Sequence, residues 1–187
     1  MSKHVRATTR SRAWEPGVLK RLPQAVEGDE FWSAYVRETL DEAGDKAAIH
    51  LAVFTEPYLE YLLAGQKTVE SRFSVHRCAP YERVCSGDIL LLKRSSGPVV
   101  GICTVSHVWF YKLDPESWKT IRNDFAKPLC AQEPSFWHAR RAASFATLMT
   151  VKNVRPISPI KCQKRDRRGW VVIRSTKSAE LFEAAHE

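Results

Sequence analysis

Apolar side chains along this chain follow two periods. From Asp29, the residues Phe31, Trp32, Tyr35, Val36 and Leu40 recur at helical spacing, with Asp29 placed as a cap and Gly44 as a stop. That spacing predicts an amphipathic helix within 28–46 whose apolar face needs a partner. Ile49–Phe54 is a short apolar run suited to a buried strand, and Thr55-Glu56-Pro57 then opens a helix through Leu63 that ends at Ala64-Gly65. Lys67–Phe73 alternates in strand fashion, which puts Glu70 and Arg72 on one face. Asp88–Lys93 and Val99–Val108 predict a hairpin joined by Ser95-Ser96-Gly97-Pro98. Helices are expected around Pro115–Phe125 and Pro134–Ala142, and closing strands at Ala146–Val154 and Trp170–Arg174. Short strands separated by turns and a few helices point to an α+β barrel rather than a parallel βαβ sheet.

The remaining pattern sets boundaries. Residues 1–27 mix basic, proline and small polar side chains without a hydrophobic period, so a flexible basic arm is expected there, with little order before Gly28. The barrel domain is placed at 47–176, and 177–187 is left as a tail or short helix. No apolar run is long enough to span a bilayer, so no membrane partner is expected.

Charge changes the picture more by its distribution than by its total of +8. Residues 1–21 hold Lys3, Arg6, Arg10, Arg12, Lys20 and Arg21 against Glu15, and residues 161–168 hold Lys161, Lys164, Arg165, Arg167 and Arg168 against Asp166. Between them these two stretches account for the whole excess. Clustered cations gain binding energy by displacing the counterions of a polyanion, which makes RNA or another single-stranded nucleic acid a natural partner. A merely soluble basic protein has the same composition.

The five cysteines are odd in number and form no C-x-x-C pair, so a disulfide framework is not expected. A polar, basic Met1–Arg12 in place of an apolar leader makes the cytoplasm the default compartment. His76, Cys78 and Cys85 lack paired ligand spacing, and phosphate-loop and dinucleotide fingerprints are missing, so neither a metal nor another cofactor is expected.

Candidate chemistry concentrates in Pro57–Arg72, which reads PYLEYLLAGQKTVESR. Gly65 supplies a permissive helix stop that brings Lys67 back beside the helix, while Glu70 and Arg72 offer an acceptor and a five-donor fork on one strand face. The three either serve a ligand or brace the wall as a Glu–Arg pair with Lys67 solvated at the rim. Tyr61 belongs either to the core or to the same cleft. Trp170, Trp109 and Phe73 are aromatic candidates for base stacking, with ordinary core packing as the alternative. Ser144, before the closing strand, is a further candidate hydroxyl. Arg165, Arg167 and Arg168 suit phosphate contacts.

The helix followed by Gly65-x-Lys67-x-x-Glu70-x-Arg72 resembles the ASCH domain, whose fingerprint is G-x-K-x-x-E-x-R. Lys164-Arg-Asp-Arg-Arg-Gly169-Trp170 is a second, weaker point of similarity. The resemblance implies a small PUA-like β-barrel with flanking helices over residues 49–175, and a nucleic-acid-binding cleft containing Gly65, Lys67, Glu70 and Arg72. Some ASCH proteins are ribonucleases, which gives an enzyme alternative: Lys67 would stabilise phosphate charge while Glu70 or Tyr61 moves the proton. Others are amidohydrolases with a Thr nucleophile three positions after the Lys, where this chain has Glu70 instead. A third alternative is a protein-interaction adaptor that docks through the Trp32 helix.

Overall fold

The computed structural model describes residues 15–41, 46–164 and 166–176. Helices α1 (Glu15–Ala25) and α2 (Glu30–Leu40) precede strand β1 (Ile49–Phe54), the short helix α3 (Tyr58–Leu63) and strands β2 (Val69–Ser74), β3 (Ile89–Arg94) and β4 (Val99–Lys112). Helices α4 (Pro115–Phe125) and α5 (Pro134–His138) follow, and the long β5 (Phe145–Ile160) and β6 (Trp170–Arg174) complete the fold. The six strands form one sheet in the order β2-β5-β4-β3-β1-β6, antiparallel except for the parallel pair β1 and β3. The sheet curls into a half-barrel, so the α+β, PUA-like expectation holds.

The apolar run of β1 reflects cover on both faces. Ile49 and Leu51 pack with Val18, Leu22, Val26, Trp32 and Val36 from the helical side, whereas Ala52 and Phe54 pack with Leu59 and Leu62 inside the curl. A third cluster joins Val69, Ala146 and Leu148 to Ile121, Phe136 and Trp137. Helix α3 can approach the curl because Gly101 leaves room: a Cβ there would lie 2.7 Å from Leu63 Cδ2 and 3.0 Å from Leu92 Cδ1.

Several expectations shift. The arm expected at 1–27 contains α1, whose Val18 and Leu22 are fully buried against the sheet, so order begins well before Gly28. Val18, Leu19, Leu22 and Ala25 in fact recur at helical spacing, a short apolar face that packs against the sheet. Helix α2 is capped by the Asp29 carboxylate, which accepts from the Trp32 backbone N–H as expected, but it ends at Leu40. Gly44 and the 177–187 tail lie outside the described residues, as do residues 1–14. Helix α5 is shorter than the expected 134–142, while β5 runs to Ile160 rather than Val154. Among the described residues, no helix is long and apolar enough to cross a membrane.

Candidate functional site

The end of α3 sets the site. Gly65 takes φ +73°, and the backbone N–H groups of Gln66 and Lys67 both donate to the Tyr61 carbonyl, at 2.9 and 3.0 Å. The next two N–H groups, of Thr68 and Val69, donate to the Pro128 carbonyl in the connection between α4 and α5. Pinned from both sides, the chain turns Lys67 inward instead of leaving it at the rim.

Lys67 and Glu70 are each only 3% exposed. The Lys67 ammonium donates to Glu70 Oε2 at 2.6 Å and to the Val69 carbonyl. Glu70 Oε1 in turn lies 2.8 Å from Arg72 Nε, an ion pair whose angle falls short of a hydrogen bond. Arg72 Nη1 donates to the carbonyls of Val53 and Gly169 at 3.0 and 3.1 Å, and the guanidinium stands over the rings of Phe54 and Trp170. Strands β2 and β1 are separated by three others in the sheet, so this one side chain spans the mouth of the curl. Its Nη2 is buried and, among the described residues, has no hydrogen-bond partner.

The electrostatics of the pair are asymmetric. Burial raises the proton affinity of Glu70, but Lys67 and Arg72 together outweigh it and hold the carboxyl below its ordinary value. Burial also lowers the Lys67 pKa, with Glu70 opposing. The carboxylate has two cations against it and the ammonium only one anion, so the carboxylate's preference for charge is the firmer of the two.

These groups line a cavity of about 360 Å³ together with Tyr58, Ser71, Phe73, Phe136 and Arg140, among others. Arg140 Nη1 donates to the Phe136 carbonyl at 2.7 Å, and its guanidinium lies 3.6 Å above the Phe136 ring centroid. Three cations therefore face one carboxylate, within walls of Phe54, Tyr58, Phe73 and Phe136. Such a space suits an anion attached to a flat ring.

Other candidates fall elsewhere. Tyr61 is half-buried, sets its ring against Tyr58 at 90° and is not part of the cavity wall. Ser144 is exposed in a turn, exchanging backbone hydrogen bonds with Ser74 and Leu113, and does not line the cavity. Trp170 is buried, donates from Nε1 to His50 Nδ1 at 3.2 Å and supports Arg72 from below, so it is a core ring under the site. Trp109 packs edge-on against Phe125 in the third cluster, while Phe73 does reach the cavity. Arg167 and Arg168 are exposed beside Gly169, but Lys164 is turned inward onto Asp166, so fewer cations of this stretch are free than their number suggests. Arg165 lies outside the described residues. Among the described residues, no three His, Cys, Asp or Glu groups are clustered to hold a metal ion.

Sequence reading missed Tyr58, Phe136 and Arg140. Phe136 and Arg140 stand four apart, a spacing that places a cation over a ring on a helical turn, but nothing local shows that this turn packs across from β2.

Among solved structures, the fold matches an ASCH protein from Zymomonas mobilis with a TM-score of 0.55 at 14% identity, over 74% of this chain and 95% of that one. A serine-to-alanine variant of that protein gives 0.55 at 13% identity over 75% and 97% of the two chains, and a tyrosine-to-phenylalanine variant gives 0.53 at 14% over 72% and 96%. This chain has an ASCH-type fold. No family model matches it, and neither does any curated protein.

Proposed function

We propose that this chain is a nucleic-acid-binding module that takes one nucleotide of a single-stranded RNA into the cleft of Lys67, Glu70 and Arg72. The observation that carries the reading is a cavity lined by Lys67, Arg72 and Arg140 against the one carboxylate of Glu70, with four aromatic rings in its wall. An anionic or carbonyl oxygen of the ligand would meet the half-buried guanidinium of Arg140, and the rings would pack against a base. Gly65 contributes the bend, and Arg167 and Arg168 would meet flanking phosphates.

Binding is favoured over cleavage by the same geometry. A ribonuclease needs a group to move the proton, yet Tyr61 is outside the cavity wall and both Glu70 oxygens already face cations. A carboxyl held below its ordinary pKa is a weak base. The adaptor reading loses its anchor, since Trp32 is 1% exposed and turned from α2 onto the protein's own sheet.

Labelled single-stranded RNA should bind with an affinity that falls steeply as salt rises from about 50 to 200 mM. Arg140→Gln removes a wall cation without unpairing the buried Lys67–Glu70 couple, and should weaken binding by roughly tenfold or more, the value of a charge-assisted hydrogen bond. Salt-independent retention, or an Arg140→Gln protein that binds like wild type, would overturn the proposal. Shortened RNA products lost in Lys67→Ala would instead favour the ribonuclease.

A further inference from the structure

A second basic hollow lies next to the cleft. Its cavity of about 440 Å³ is lined by Pro115, Trp118, Lys119, Arg122, Asn123 and Arg141. All but the last belong to α4 at spacings of three and four, so they form one stripe of that helix. The carboxylates of α4, Glu116 and Asp124, do not line it. Lys119 and Arg122 have no carboxylate partner among the described residues, and Arg141 is engaged only with His138.

The two cavities share a wall. Phe73, which lines the first, stacks on Trp118, which lines the second, with centroids 5.3 Å apart and planes 3° from parallel. Arg140 faces the first cavity and its neighbour Arg141 the second. Arg122 is held over the rings of Trp118 and Trp137, so less side-chain freedom remains to be lost when it meets an anion. The Trp118 ring thus already packs against Phe73 and Arg122. What this hollow offers a ligand is positive charge rather than a stacking platform.

We infer that this α4 hollow is a phosphodiester subsite, which takes the backbone of the nucleotides flanking the one in the cleft. The inference rests on the proposed function and adds to it a direction: the strand leaves the cleft past Phe73 and Trp118 towards α4. Sequence reading placed the phosphate contacts in the basic arm and in 161–168. The stripe of Lys119, Arg122 and Arg141 is the better-formed candidate, because its cations are not turned onto a neighbouring aspartate.

The test compares two probes, uridine 5′-monophosphate and an oligouridylate of about eight nucleotides, on wild type and on Lys119→Ala/Arg122→Ala. Both substituted side chains are exposed, so a thermal melt matching wild type confirms that the variant is folded. In wild type, log affinity for the oligonucleotide should fall with log salt by about 0.7 per phosphate contact, and the double variant should flatten that slope by about 1.4 while still binding the mononucleotide. An unchanged slope, with both probes still bound, overturns the inference and leaves the cleft reading intact. Failure of wild type to bind either probe overturns both. If oligoglutamate binds wild type as tightly as the oligonucleotide does, and also loses affinity in the double variant, the hollow is a site for acidic peptides and the assignment to nucleic acid fails.

Discussion

Lys67→Met should destabilise the fold by about 3–5 kcal/mol, because it leaves the Glu70 carboxylate buried with Arg72 as its only cation. Adding Glu70→Gln should recover most of the loss, since a neutral amide replaces the stranded charge. The pH dependence separates this account from simple loss of packing. In wild type the Glu70 carboxyl is held below its ordinary value of 4.5, so its contribution is complete above that pH and is lost as pH falls through the lower, folded-state pKa. In Lys67→Met, burial is opposed by one cation fewer and the carboxyl protonates more readily. The stability gap between the two proteins should therefore narrow on acidification, and urea titrations across the acid range would measure it. A gap that stays constant with pH would mean that Lys67 acts by volume alone. The double variant should remain folded yet lose nucleotide binding, which would show that the ion pair serves the ligand rather than the fold.

Trp32→Ala should cost about 3–5 kcal/mol, as expected for deletion of a large core ring. Trp32 is 1% exposed, packs with Val18, Val36 and the outer faces of the sheet, and donates from Nε1 to the Asn153 carbonyl at 3.0 Å. A denaturant midpoint close to wild type would mean that α2 is an appendage, and would restore the view of it as a docking helix.

How much of this was legible beforehand follows from range. The strand β1 and the β3–β4 hairpin are marked by apolar runs between turn residues and α4 by its opening Pro115, and their bounds match those read in the sequence within a residue, except that β4 runs on to Lys112 rather than Val108. Glu70 and Arg72 were readable as one face because strand alternation is a local rule. The inward turn of Lys67 was not. It depends on the Tyr61 carbonyl, which is local, and on the Pro128 carbonyl some sixty residues later, which no spacing announces. Helix α1 was missed for a different reason: Val18, Leu19, Leu22 and Ala25 do fall at helical spacing, but the period is short, set among basic residues and interrupted by Pro23. Tyr58 and Tyr61 are three apart on a six-residue helix, too short for periodicity to tell that only the first lines the cavity. Arg140 is the clearest limit, because its place opposite β2 is set wholly by the packing of α5.

The most direct measurement is the response of the arginine Nε–Hε signals in a nuclear magnetic resonance titration with uridine 5′-monophosphate. Saturable movement of the Arg72 and Arg140 signals, with Arg72 lost from the response in Arg140→Gln, is the expected result. Signals from both residues that stay fixed while only those of Arg167 and Arg168 move would place the nucleotide outside the cleft and contradict the central claim.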